Sequence, residues 1–293
     1  MRAHLLNNCI WMKTHVLTLL LCINVCTLKA QQVEYTQADS IRIESILKQA
    51  KGKVPLEEAM IWFGRQFLGV PYVAHTLEEG STEHLIINTR ALDCTTFVET
   101  VLSLYLCHKY GKTTFDAYCN HLRKIRYRHG EMTDYTSRLH YFTWWGEDNE
   151  RMGLLKNIST DAFPFTETQR LNINYMSTHP SLYKHLKSNP RFVSTIAQLE
   201  RESNGRTYRY IPKALLNRGQ KELSCIHTGD IMAIITNKAG LDTSHIGIAI
   251  WQDGKLHMMH ASSLYKKVVI DSKTFYDYTQ QQTSQLGIRL FRP

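Results

Sequence analysis

The chain has 293 residues, 43% of them hydrophobic, with 35 Lys and Arg against 26 Asp and Glu for a net charge of +9. That apolar content belongs to a globular protein and excludes a disordered, charge-dominated chain. The positive balance suits an anionic polymer or a carboxylate-rich substrate if the chain is exported, and a nucleic-acid partner is not expected.

Lys13 and His15 precede an apolar run from 16 to 25, and Leu28-Lys29-Ala30 leads into a polar stretch at Gln31. A basic start, a short apolar core and a small residue at the cut describe a secretory signal over residues 1–30, with Met12 as a second possible start. The run is too short to span a bilayer comfortably. The expectation is an exported, periplasmic protein, monomeric and with no stable membrane insertion, whose residues 31–293 form a single catalytic domain.

Residues 37–51 carry a rough apolar stripe through Ile41, Ile43, Ile46 and Leu47 and read as a helix. A second helix is expected over 56–68, entered through Pro55 and closed by Gly69. Gly69-Val70-Pro71-Tyr72 turns the chain into an extended segment. A third helix over 92–109 is apolar on most sides and belongs in the middle of the domain. Residues 112–215 form a long central insertion with a helix over 115–128, an aromatic cluster (Tyr141, Phe142, Trp144, Trp145) and a helical patch near 191–202. The basic run at 123–129 reads as a solvated face. Strands are expected at 230–236, 244–251, 255–261 and 287–291, punctuated by Asn237, Gly240, Asp253-Gly254 and Ser284. Helices first and an antiparallel sheet afterwards give an α+β class.

Cysteines beyond residue 30 are Cys94, Cys107, Cys119 and Cys225, too sparse for a disulfide framework. Cys107 and Cys119 read as buried hydrophobes, with a disulfide between them left open. Cys94 differs, because it opens the third helix. There the unpaired first-turn N–H groups favour a thiolate and can bind an oxyanion. A thiol nucleophile needs a base and an orienting partner. His245 opens a strand, and His260 ends the next one after a hairpin at Asp253-Gly254. His257 lies three residues before His260 and faces the other way by strand alternation, so only one of the two can join the site. Zinc is the rival use of such a set. No CxxC or HExxH pattern occurs near these positions, and a strand splays His257 from His260, so no metal and no cofactor are expected.

These residues resemble the NlpC-type cell-wall cysteine peptidases. The resemblance lies in Asp93-Cys94-Thr95-Thr96-Phe97-Val98, His245-Ile246-Gly247-Ile248, His260-Ala261, Gly69-Val70-Pro71-Tyr72 and Gly229-Asp230-Ile231. It implies a papain-like NlpC-type fold, with the nucleophile helix packed on an antiparallel sheet. It implies a Cys94–His245–His260 triad, with Tyr72 helping to hold the oxyanion. Thr96 stands where that family usually has glycine, and Glu99 follows the motif. The insertion carries Ser137-Arg138-Leu139-His140-Tyr141 and Trp144. With Tyr210-Ile211-Pro212-Lys213, these are similar to the N-acetylmuramoyl-L-alanine amidase-like branch.

That branch implies a peptidoglycan amidase acting on muropeptides at the bond between N-acetylmuramic acid and L-alanine. Ser137, Arg138, His140, Tyr141 and Trp144 become substrate-binding candidates, Arg138 for a carboxylate and Trp144 or Trp145 for a sugar face. The alternatives are a stem-peptide endopeptidase cutting after γ-D-glutamate, a thiol acyltransferase, and a non-catalytic wall-binding module.

Overall fold

Local caps set the helical half. Thr36 accepts from the Asp39 amide and Asp39 returns the bond to the Thr36 amide, a reciprocal cap that starts helix α1 (Gln37–Ala50) after a two-residue strand β1 (Val33–Glu34). Helix α2 (Leu56–Arg65) follows Pro55 and ends short of the expected 68, with Gly69 at φ 83° turning the chain back. Strand β2 (Leu85–Ile86) pairs in parallel with β1. Helix α3 (Cys94–Lys109) is buried from Thr96 through Cys107, as its all-round apolar pattern demands. The computed structural model describes residues 33–293. The signal segment expected at 1–30 lies outside them.

The middle of the chain supplies helices α4 (Phe115–Arg126) and α5 (Phe142–Arg151), then strands β3 (Lys156–Asn157) and β4 (Glu167–Arg170). Short helices α6 (Tyr175–Thr178) and α7 (Lys184–Ser188), helix α8 (Pro190–Ser203) and strand β5 (Thr207–Pro212) follow. The stretch read as an insertion therefore adds to the sheet, since β3 and β5 both pair with the last strand and β4 pairs with β5. The run at 123–129 is a solvated face only in part, with Lys124 and His129 exposed. Tyr127 is fully buried, and Arg126 is 3% exposed, with its Nε 2.8 Å from Glu99 Oε2 on α3. An ion pair, not water, satisfies that guanidinium, which ties α4 to the third helix.

The C-terminal part completes the sheet with β6 (Ile231–Thr236), β7 (Thr243–Gln252), β8 (Lys255–Ser262), β9 (Lys267–Ile270), helix α9 (Phe275–Gln280) and β10 (Gln285–Arg292). The strand order is β4-β5-β10-β6-β7-β8-β9, and every pair on this path is antiparallel. Alternation divides two apolar layers. Ile246, Ile248, Ile250 and Met259 join the core containing the α1–α3 residues, while Ala249, Leu256 and Met258 join a second core with Phe275 of α9. Gly247 leaves room for the Met258 side chain of β8: a Cβ there would sit 2.6 Å from Met258 Cγ. The Gly69–Tyr72 segment runs against β9, with Gly69 N donating to Val268 O at 2.9 Å and Tyr72 N to Lys266 O at 2.9 Å.

Candidate active site

Cys94 is the first residue of α3, and its neighbours hold it there. Asp93 accepts from the Thr96 amide at 2.8 Å, and the Thr96 hydroxyl accepts from the Asp93 amide at 2.9 Å, a reciprocal cap around the cysteine. This gives Thr96 a structural task at the position where a glycine was expected. The half-buried Cys94 opens onto a pocket of about 220 Å³ that His245 and Ile246 also line. Helix α3 packs on β7 and β8, so the helix start meets the start of β7.

Strand register brings the histidines together. Ile248 pairs with Met259 and Ile250 with His257. One further step sets His260 across from Gly247, and His245 lies on the same face at the diagonal, within reach of a ring. His245 Nε2 and His260 Nδ1 are 2.6 Å apart, with the rings edge to face at 85°. His257 has the opposite parity and turns its Nδ1 to Asp271 O at 3.0 Å. The geometry therefore puts His260, not His257, against His245.

The electrostatics are those of uncharged partners. Burial, then the Asp93 carboxylate, push the Cys94 thiol up to about 12. Burial, then the neighbouring His260, push His245 down to about 3. Desolvation outweighs the helix start, so the first-turn N–H groups do not by themselves make a thiolate here. Burial, then Cys94 and Asp93, push the Tyr72 phenol up to about 12, which keeps its hydroxyl a donor near neutral pH.

The substrate-binding candidates separate. His140 and Tyr141 line the pocket, as does Trp145. His140 Nε2 is 2.8 Å from Tyr135 O, and burial, then Arg138, hold its pKa down to about 3. Tyr141 donates to Glu200 Oε1 at 2.7 Å. Arg138 is not a free carboxylate anchor. It is 7% exposed, and its guanidinium donates to Glu83 through Nε and Nη2, to Glu78 through Nη1 and to Leu77 O through Nη2. Two carboxylates already hold it, which leaves it no charge to offer a ligand. Ser137 closes a turn, donating to Asp134 O at 2.6 Å and accepting from Thr133 N at 3.1 Å. Trp144 has no open face for a sugar: it donates to Ser203 Oγ at 2.6 Å, packs edge-on against Tyr141 and carries Arg128 over its ring.

Two residues near the site were not read from the sequence. Asp271, 2% exposed, places Oδ2 3.6 Å from His260 Nε2. Tyr278 of α9 sets its ring edge to face with His260 at 5.7 Å. The apolar run Val268-Val269-Ile270 before Asp271 was the available strand signal. All four described cysteines are free, Cys107 and Cys119 included. Among the described residues no group of three or more His, Cys, Asp or Glu is gathered to hold a metal ion, and no helix is long and apolar enough to cross a membrane.

A helix-borne thiol sharing a pocket with a strand histidine, itself backed by a buried second histidine, in an α+β fold with an antiparallel sheet, has the groups for acyl transfer through sulfur. A family model described as N-acetylmuramoyl-L-alanine amidase-like (AmiA-like) matches residues 62–288, and the chain belongs to that family. It is similar to the solved structure of an N-acetylmuramoyl-L-alanine amidase from Bacteroides uniformis. The identity is 41% and the TM-score 0.76, over 81% of this chain and 98% of that one. A protein from Legionella pneumophila shares the fold at 24% identity and a TM-score of 0.65, over 88% of this chain and 95% of that one. No curated protein matches the chain.

Proposed function

We propose that this chain is an exported cysteine amidohydrolase of the NlpC-type, papain-like class, directed to the periplasm by residues 1–30, that cuts the N-acetylmuramoyl-L-alanine bond of muropeptides. The observation that carries the reading is that His245, which lines one pocket with Cys94, is held 2.6 Å from the buried His260. The family and the 41%-identical amidase from Bacteroides uniformis support the choice of bond.

The proposed reaction starts from a neutral thiol and a neutral imidazole. His245 Nε2 is taken by His260, which leaves Nδ1 for the Cys94 proton. Sulfur attacks the lactyl carbonyl as that proton moves. The Cys94 backbone N–H and the Tyr72 hydroxyl stabilise the oxyanion. The C–N bond then breaks, and the alanine amine leaves with the proton from His245. Water, deprotonated by His245, hydrolyses the thioester and frees Cys94. No metal or cofactor enters these steps.

The pocket wall favours this bond over the one after γ-D-glutamate. No Lys or Arg is among the described residues lining it, and Asp242 is. The muramoyl–alanine amide is flanked by methyl and acetamido groups, whereas a bond after γ-D-glutamate brings a free α-carboxylate into the site on the same residue as the attacked carbonyl. A pocket without a cation suits the uncharged neighbours.

Digestion of defined muropeptides followed by mass spectrometry tests the reading. The expected products are the sugar bearing a free lactyl carboxylate and an intact stem peptide with a free L-alanine amine. Cleavage after the second stem residue would replace the amidase with the endopeptidase. Turnover that survives Cys94→Ala would remove the cysteine mechanism.

A further inference from the structure

His260 is itself unfinished. Its Nδ1 faces His245, but its Nε2 is buried with no hydrogen-bond partner, and the residue is 1% exposed. A buried imidazole nitrogen left so is costly unless something nearby answers it. The group facing it is the Asp271 carboxylate, at 3.6 Å and itself 2% exposed. Asp271 is built in from several sides. Its amide donates to Met258 O at 2.9 Å, its carbonyl meets His257 Nδ1 at 3.0 Å, and its Oδ1 accepts from the Lys273 amide at 2.9 Å. The remaining oxygen, Oδ2, is the one turned toward His260.

We propose that Asp271 is a positioning residue that sets the tautomers of both histidines. The inference rests on the cysteine-hydrolase reading above. For His245 to accept the thiol proton at Nδ1, its neutral ring must carry hydrogen on Nε2 and donate it to His260 Nδ1. His260 must then carry its own hydrogen on Nε2, the nitrogen that faces Asp271. A carboxylate can only accept, so it selects this tautomer. The selection passes through the 2.6 Å contact to leave a lone pair on His245 Nδ1. In the resting site the gap to Asp271 is longer than a hydrogen bond. The positive charge that reaches the imidazole pair during attack draws the carboxylate in. Burial raises the Asp271 carboxyl pKa, and the His260 contact and the Lys273 amide bring it below the ordinary value, which keeps it an acceptor.

The replacement Asp271→Asn offers an amide N–H to the same nitrogen. That reverses the chain of donors and turns a hydrogen, not a lone pair, toward Cys94. The expected result is a loss of kcat of about 10²–10⁴-fold with KM nearly unchanged, as when a buried orienting carboxylate becomes an amide elsewhere. The decisive measurement needs neither turnover nor a variant: ¹⁵N–¹H correlation spectra of the histidine rings in the unmutated protein at neutral pH. Protonated Nε2 and bare Nδ1 on both His245 and His260 support the proposal, and the opposite tautomer on either ring overturns it. In Asp271→Asn the two rings should switch, and unchanged rings in a folded variant would also overturn it. If instead Cys94→Ala keeps its turnover, the cysteine mechanism fails while the ring spectra still report on Asp271.

Discussion

At the scale of single residues, the site separates position from charge. The reciprocal cap of Asp93 and Thr96 fixes where Cys94 sits, while burial and the Asp93 carboxylate set its acidity. The thiol pKa is raised, so the thiolate fraction is small at neutral pH and grows as pH rises toward about 12. Alkylation of Cys94 by iodoacetamide should therefore accelerate steadily, about tenfold per pH unit through the neutral range, because the thiolate is the reactive form. A rate that levels off below about pH 6 would mean an ion pair with His245 and would sink this description. Arg138 teaches a related point. An arginine in a polar motif suggested carboxylate binding, yet its carboxylates are Glu78 and Glu83 of the same chain.

At the scale of elements, the nucleophile helix is held by the segment that follows it. Glu99 on α3 and Arg126 on α4 form an ion pair 2.8 Å long, each side chain 3% exposed, and Arg126 also donates to Ile86 O at 2.7 Å. Removing one partner leaves a buried charge alone. Arg126→Met should cost about 3–5 kcal/mol in urea unfolding, and adding Glu99→Leu should recover much of that loss. A double variant no more stable than Arg126→Met alone would show that the pair is not coupled in this way. The strands make a different contribution. The antiparallel register of β7 and β8 puts His245 and His260 on one face within one hydrogen bond.

At the scale of the whole molecule, Asp39 ties the first helix to the segment leading to the site. It accepts from Thr36, from the Thr89 amide at 2.9 Å and from the Thr89 hydroxyl at 2.7 Å, with no exposure. Burial raises its pKa, and these hydrogen bonds outweigh burial to bring it from 3.8 down to about 2. A depressed carboxylate pKa stabilises the fold above the unfolded value. That stability is lost as pH falls from about 4 through about 2. In Asp39→Asn, stability followed by circular dichroism should depend less on pH across that window than in the unmutated protein. An identical acid transition would show that Asp39 does not contribute.

Much of the element order was legible in the residues. Periodicity and caps marked α1 to α4, α8 and the strands that bear His245 and His260, because those signals lie within one element. The short pieces β3, β4, α6 and α7, and the pairing of β5 with the last strand, were not legible. The strands among them are set by pairing with β5 and β10, and α6 and α7 are too short to show a period of their own and pack on α8. Cys94, His245 and His260 could be named from order and spacing and Tyr72 from the family resemblance, whereas Asp271 and Tyr278 come to the site by strand pairing and helix packing. The sequence by itself determined the α+β class, the cysteine at a helix start and the parity that separates His257 from His260, since each is a property of local periodicity. Only the tertiary structure decided that Arg126 and Arg138 are consumed by internal carboxylates, that Trp144 is core, and that His260 faces Asp271. Burial and long-range pairing are properties of the assembled chain.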